Sequence, residues 1–379
     1  MLYLAGIFIS FFLGLLLLTK KEKSLADKIL TAWLVMMGIH LLIYYSFISK
    51  RIYDYPEFLG PGLPMPLLHG PFLYLYVLAL TERVPKIGLK QLLHFLPAVI
   101  SFIAIIPFMM LPSEDKIYVF QHKGEGHETY IMFNSIAIMI SGVTYVVLSL
   151  IQLRQHRKSI ENEFSSTDKI NLRWLQYLIY GLALIWFFVI LNMDTFVFGT
   201  AVLMIMFIGY FGIRQVGIFT HGQPATTADR EPEPVFEEIA ETEPSVSAQA
   251  SRKKYRKSGL SEEAAGELHR RLSAMMNADK PFKESELTLD QLAERLNTIP
   301  NYLSQIINDR EGKNFYDFIN TLRIEEFKKA MSQPENKKFT LLGLAYDCGF
   351  NSKSSFNKYF KKVTGVSPTE YLANSPQSR

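Results

Sequence analysis

The sequence predicts an all-α chain in three parts: a seven-helix transmembrane domain over 1–219, a disordered linker over 220–258, and a double helix-turn-helix domain over 259–379. Three observations carry this reading. Apolar spans of bilayer length recur through the first half, in a chain that is 49% hydrophobic and 20% charged. Acidic and then basic residues crowd one proline- and glycine-interrupted stretch after Gly222. Beyond it, a pattern of capped apolar helix, tight turn and polar helix occurs twice, about 50 residues apart.

The first span, Leu2 to Leu18, has no basic residue before it and Lys20, Lys21 and Lys23 just after, the reverse of the charge order of a cleaved signal peptide. Further spans are expected at Ile29 to Ser49, Pro66 to Thr81, Gln91 to Leu111, Tyr130 to Leu153, Leu172 to Leu191 and Phe196 to Tyr210. Pro66 to Thr81 is short and interrupted by Gly70-Pro71, and removing it would reverse the side of everything that follows. Loop charge argues for keeping it. With the N-terminus outside, inner loops hold Lys20, Lys21, Lys23, Lys28, Arg83, Lys86, Lys90, Arg154, Arg157, Lys158, Lys169 and Arg173. Outer loops hold only Lys50, Arg51, Lys116 and Lys123, so basic residues favour the inner side. This arrangement makes the chain a multi-pass membrane protein with its C-terminal domain in the cytoplasm.

Polar groups in or near these spans are His40, His69, His94, Asn134, Asn192 and Asp194. An ionisable group left unpaired in lipid is costly, which makes each a functional candidate. Asn192 and Asp194 fall in the turn between the last two spans and His94 at a membrane edge, where hydration suffices. His69, beside Gly70-Pro71, is balanced between a structural role and a ligand contact. His122 and His127 are five residues apart in a glycine-containing loop, which is poor metal geometry. Cys348 is the only cysteine, so neither an intramolecular disulfide nor a cysteine metal site exists, and a buried core position suits it. No cofactor is expected.

The linker carries Asp229, Glu231, Glu233, Glu237, Glu238, Glu241 and Glu243 with no apolar period. As a coil its 37 residues from Gly222 to Ser258 would span on the order of 30 to 35 Å. The run Arg252-Lys253-Lys254-Tyr255-Arg256-Lys257 closes it, with DNA phosphate, anionic lipid and the acidic stretch upstream all open as partners.

Thr288-Leu289-Asp290-Gln291 reads as a capping box that opens a helix from Leu289 to Leu296. Thr298-Ile299-Pro300 starts a second helix, with Leu303, Ile306 and Ile307 inward and Asn301, Tyr302, Ser304 and Gln305 outward. A long amphipathic helix, Phe315 to Met331, follows, its buried side formed by Phe315, Phe318, Ile319, Leu322 and Phe327. Thr340 then caps Leu341-Leu342-Gly343-Leu344-Ala345, and Asp347-Cys348-Gly349-Phe350 turns into a helix capped by Asn351 or Ser352 and ended by Gly365. Phe356, Phe360 and Val363 form its expected apolar stripe. Lys353, Ser354, Asn357, Lys358 and Lys361 occupy the opposite face. A charged helix face is usually only solvated, but Lys353, Lys358, Lys361 and Lys362 stand here without a carboxylate between Cys348 and Thr369, a field that attracts phosphate. Asn and Lys also match adenine and guanine edges in a major groove.

Residues 260–372 resemble the DNA-binding domain of AraC/XylS-type transcription regulators. The likeness rests, in order, on Leu289-Asp290-Gln291-Leu292-Ala293, Asn301-Tyr302-Leu303-Ser304, Phe315-Tyr316-Asp317-Phe318-Ile319-Asn320, Leu322-Arg323-Ile324, Cys348-Gly349-Phe350, Ser354-Ser355-Phe356, Phe360-Lys361-Lys362 and Thr364-Gly365-Val366-Ser367-Pro368. Gly343 and Leu372 depart from it, the latter standing where the family commonly has arginine. The resemblance implies base reading by Lys353, Ser354, Asn357 and Lys358 and by Asn301, Tyr302, Ser304 and Gln305. More loosely, His69-Gly70-Pro71, Tyr74-Leu75-Tyr76, His94-Phe95-Leu96-Pro97 and Gly212-Ile213-Arg214-Gln215 resemble multi-span N-terminal regions of some bacterial AraC-type regulators.

The expectation is therefore a one-component activator or repressor, placed by the resemblance in a bacterial inner membrane, whose bilayer part senses an unidentified signal. Its expected partners are double-stranded DNA, the lipid bilayer, RNA polymerase and a second copy in a homodimer. A transporter or enzyme with an attached DNA-binding domain is the alternative. No phosphate-binding glycine loop, His-Glu-x-x-His, nucleophile elbow or paired intramembrane acid supports catalysis. A bare anchor is a third reading.

Overall fold

The computed structural model describes residues 1–81, 88–167, 172–219 and 260–373. The expected linker, the Arg252 to Lys257 run, Arg83, Lys86 and Lys169 lie outside the described residues. Among the described residues all regular structure is helical, apart from one antiparallel bridge between Phe164 and Thr288. The chain divides into two units: 1–156 with 172–223, and 157–171 with 224–379.

The first unit contains α1 (Leu2–Thr19), α2 (Leu25–Ile48), α3 (Pro66–Thr81), α4 (Leu96–Ala104), α5 (Ser113–Gln121), α6 (Glu128–Glu163), α7 (Arg173–Ile190) and α8 (Asp194–Phe219), of which α6 continues past residue 156. Ser24 and Asp27 form a capping box at the start of α2, each side chain accepting the other's backbone N–H at 3.1 and 2.8 Å. Ser10 ties α1 to α2 by donating to Leu34 O at 2.6 Å, which removes a buried hydroxyl from lipid.

Among the described residues five helices, α1, α2, α6, α7 and α8, are long and apolar enough to cross a bilayer. Their outward surfaces carry large apolar side chains such as Phe8, Leu15, Phe133, Ile140, Phe187 and Leu203. Water would penalise such a surface and lipid would not. The other two expected spans are shorter. Helix α3 has 16 residues, roughly 24 Å of rise. The continuous span expected over 91–111 is broken: separate helical pieces start around Pro97 and Pro107, whose missing N–H groups fit a first turn and not a helix interior. Several long apolar helices, consistent with a multi-pass location, are thus accompanied by two shorter apolar helical stretches.

The polar groups of this unit have specific partners. Trp33 Nε1 donates to His69 Nδ1 at 3.2 Å, and His69 Nε2 lies 2.9 Å from His40 Nδ1. Gly70 lets α3 approach the Tyr145 ring, since a Cβ there would sit 2.6 Å from Tyr145 Cδ2. Tyr145 donates its hydroxyl proton to His94 O at 3.0 Å and faces His94 Nδ1 at 3.1 Å, so His94 is built into the packing. Asn134 is buried, accepting from Ser101 Oγ at 2.6 Å and donating to Leu63 O at 3.0 Å. Asp194 stands exposed in the first turn of α8, and Asn192 takes a left-handed conformation in the turn before it. Among the described residues no three His, Cys, Asp or Glu side chains gather as a metal site.

The second unit contains α9 (Glu262–Ala278), α10 (Leu289–Arg295), α11 (Pro300–Glu311), α12 (Phe315–Ser332), α13 (Leu341–Asp347), α14 (Lys353–Thr364) and α15 (Pro368–Ala373). It has two cores. Leu268, Leu272, Leu292, Leu303, Ile306 and Ile307 close the first with Phe315, Phe318 and Ile319, the N-terminal half of α12. Ile324 and Phe327 in the C-terminal half of α12 close the second with Leu344, Phe350, Phe356 and Phe360. One helix thus belongs to both cores, and each is apolar enough to bury its own helix pair.

Candidate nucleic-acid interface

Each helix pair is set by local chemistry. Thr288 and Gln291 make the predicted capping box at 3.2 and 3.0 Å, and Pro300 supplies the first residue of α11. In the second pair Thr340 accepts from Gly343 N at 3.0 Å, and Ser352, not Asn351, caps α14 by accepting from Ser355 N at 3.1 Å. Gly365 ends α14 with φ +82°.

The turn between α13 and α14 depends on Gly349. Its φ is +97°, and a Cβ there would lie 2.6 Å from Phe282 O and 2.8 Å from Lys283 O. Both the backbone conformation and the space exclude a side chain. Cys348 is buried beside it, as expected, and burial pushes its thiol up to about 11.

Lys353, Ser354, Asn357, Lys358 and Lys361 are all exposed on α14, at spacings that place them along one side. The stripe opposite is Phe356, Tyr359 and Phe360, while Val363, expected inside, is 37% exposed. Tyr359 takes the place because its hydroxyl reaches Asp317 O at 2.8 Å on α12. Lys362 is held to Asp317 Oδ1 at 2.7 Å, which separates it from the other lysines.

The corresponding face of α11 is different. Asn301 is exposed, whereas Tyr302, Ser304 and Gln305 are half-buried and Tyr302 packs against the first core. Asn308 Nδ2 donates to Ser304 O at 2.8 Å. Two arginines nearby are paired, Arg295 with Glu284 at 2.6 and 2.7 Å and Arg310 with Glu262.

Sequence patterning did not single out the joint between the two cores. Arg323, 1% exposed, lies on the buried side of α12 and makes five hydrogen bonds. It donates to Phe282 O at 2.6 Å, Glu284 O at 2.7 Å, Asn320 Oδ1 at 3.2 Å, Ser165 O at 3.2 Å and Ser165 Oγ at 3.1 Å. Burial pulls its guanidinium down to about 10, so it stays charged at neutral pH. Ser165 is itself buried, and its hydroxyl donates to Leu287 O at 2.6 Å while Asn320 Nδ2 donates to Ser165 O at 3.0 Å. Asn351 Nδ2 donates to the neighbouring Ser166 Oγ at 2.7 Å. The available signal was an arginine four residues after Ile319 and eight after Phe315, a spacing that puts a charge on an apolar face.

The family described as a helix-turn-helix domain matches residues 292–374, which contain both faces. The uncharacterized HTH-type transcriptional regulator YtdP of Bacillus subtilis (strain 168) is 32% identical over 88 residues, 23% of this chain and 11% of that protein. The uncharacterized HTH-type transcriptional regulator SACOL0084 of Staphylococcus aureus (strain COL) is 31% identical over 91 residues, 24% of this chain and 12% of that protein. The chain therefore spans about a tenth of the length of these curated relatives. No solved structure matches the chain. A transcriptional-regulator-like helix-turn-helix domain is thus combined with long apolar helices suggestive of membrane association. The similarities are to regulators, in line with the reading of a non-enzymatic protein.

Proposed function

We propose that the protein is a membrane-bound transcription regulator of AraC/XylS type. In this reading its apolar helices form a sensor with the N-terminus outside, and its cytoplasmic C-terminal unit binds duplex DNA through two helix-turn-helix elements. The observation that carries it is the face of α14, where Lys353, Asn357, Lys358 and Lys361 stand exposed within the stretch similar to HTH-type regulators. Lysines on such a face neutralise phosphates, and asparagine can bond an adenine edge with both amide groups. Asn301, Tyr302, Ser304 and Gln305 would give α11 a second, neutral reading face. Regulation through RNA polymerase and binding as a pair of chains belong to the same reading, supported by the resemblance alone.

A lost two-pronged base contact weakens binding by about 1 to 3 kcal/mol. Asn357→Ala should therefore weaken binding at a site identified by genome-wide crosslinking of the full chain, with binding to random DNA unchanged. Equal loss on both would remove the base-reading role. Orientation is tested separately: a reporter after Arg214 should report cytoplasm and one at His122 the exterior, and finding both on one side would contradict the arrangement.

A further inference from the structure

The first unit contains a partly open cavity of about 300 Å³ lined from α2, α3, α6, α7 and α8. Its lining residues come from the end of the bundle where α2 and α7 finish and α3, α6 and α8 begin. Met37, Ile138, Leu182 and Ala201 make the walls apolar. Its size is at the lower end of ligand pockets, which usually pair apolar walls with a few placed polar groups.

One of those polar groups is placed by a hydrogen-bond chain that fixes its protons. Trp33 Nε1 has only a proton to give, so His69 Nδ1 must accept, and the proton of neutral His69 sits on Nε2. His69 Nε2 then donates to His40 Nδ1 at 2.9 Å, which leaves the proton of neutral His40 on Nε2. The two rings lie within 15° of one plane, as in-plane donation requires. Both histidines line the cavity, and His40 Nε2–H has no acceptor among the described residues. A built chain of three side chains therefore ends on a donor at an apolar cavity.

The other polar groups narrow the class of ligand. Asn134 gives one amide proton to Leu63 O and accepts from Ser101 Oγ, and because that Ser101 proton is committed, Tyr130 donates to Ser101 Oγ at 3.0 Å. Trp186 Nε1–H is a second donor in the lining, buried without a partner among the described residues. Among the described residues Asp194 is the only acid of the lining, and no lysine or arginine joins it. A carboxylate or phosphate would meet that acid with no cation to offset it.

We propose that this cavity binds a small, neutral, mostly apolar molecule through one hydrogen-bond-accepting oxygen held by His40 Nε2–H. This rests on the sensor reading above and names the chemistry of its signal.

The test uses the full chain in native membranes and a photoactivatable diazirine analogue of 2-undecanone, with labelled peptides mapped by mass spectrometry. Labelling should fall on α2 and α8 around Met37 and Ala201. Excess 2-undecanone should compete at least fivefold better than undecanoic acid, which has the same chain length with an anionic head. His40→Leu should lower labelling severalfold. Ala201→Phe, which fills the cavity without touching the histidine chain, should do the same and guards against a folding defect in the first variant. Labelling confined to outward positions such as Phe8 and Leu184, unchanged labelling in Ala201→Phe, or equal competition by the acid would overturn the proposal. Crosslinking to DNA in the same cells separates the two readings: intact DNA sites with no cavity labelling remove the ligand site alone, whereas missing DNA sites count against the regulator.

Discussion

The first helix pair closes over branched aliphatic side chains, Leu292, Leu303, Ile306 and Ile307, and ties its nearby arginines into ion pairs. The second closes over rings, with Phe327, Phe350 and Phe356 at centroid separations of 4.8 and 5.4 Å, and leaves Lys353, Lys358 and Lys361 exposed. Both hang on α12, whose halves belong to different cores. On the proposed reading, α11 would read bases from a largely neutral face, while α14 would add phosphate-neutralising lysines to its own base-reading Asn357.

The cores should be separable by mutation. Phe327→Ala should cost about 3 to 5 kcal/mol, and its effect should concentrate in the second core. Amide exchange would show this as faster exchange over 344–360 with 289–307 still protected; uniform acceleration would mean the halves unfold as one. Arg323→Ala should cost a similar 3 to 5 kcal/mol because it strips three carbonyl partners at once, but it should loosen both cores. Thermal unfolding with the same exchange readout distinguishes it from Phe327→Ala.

Gly349→Ala comes next. Its positive φ and the contacts with Phe282 O and Lys283 O should together cost about 2 to 4 kcal/mol. The loss should appear as a lower melting temperature and faster exchange in α13 and α14. An unchanged melting temperature would show that the turn relaxes freely.

The reach of each contact explains why the sequence is legible in some places and opaque in others. Thr288, Thr340 and Gly365 act within a few residues of themselves, so capping chemistry located them correctly. Helix α14 can be oriented from Phe356 and Phe360, yet the inward place expected for Val363 goes to Tyr359, because the deciding contact, Tyr359 to Asp317, crosses 42 residues. Arg323 was harder still, since Ser165 lies 158 residues away. In the membrane half, apolar length marked α1, α2, α6, α7 and α8, whereas Pro97 and Pro107 broke a stretch that composition alone made continuous. The pairing of His40 with His69 was invisible because periodicity places residues on a helix face and says nothing about which faces meet.

The electrostatic contrast should give smaller, cleaner effects. Replacing Lys353, Lys358 and Lys361 together by alanine should make the logarithmic salt slope of DNA binding shallower by roughly 3, close to 0.9 per lost phosphate contact. Asn301→Ala should leave that slope unchanged and alter base preference instead. A change in slope from Asn301→Ala would erase the division of labour. Smallest of all, Thr340→Ala should cost about 1 kcal/mol by removing the cap of α13, measured by thermal unfolding, with DNA specificity retained.

The central claim is that two unlike helix faces of one chain engage DNA together. Footprinting of the full chain in lipid nanodiscs, at a site identified by crosslinking, measures this directly. The account predicts two protected patches in phase, about 10 base pairs apart, within roughly 20 base pairs of unlike half-sites. A single protected patch of about five base pairs would contradict it.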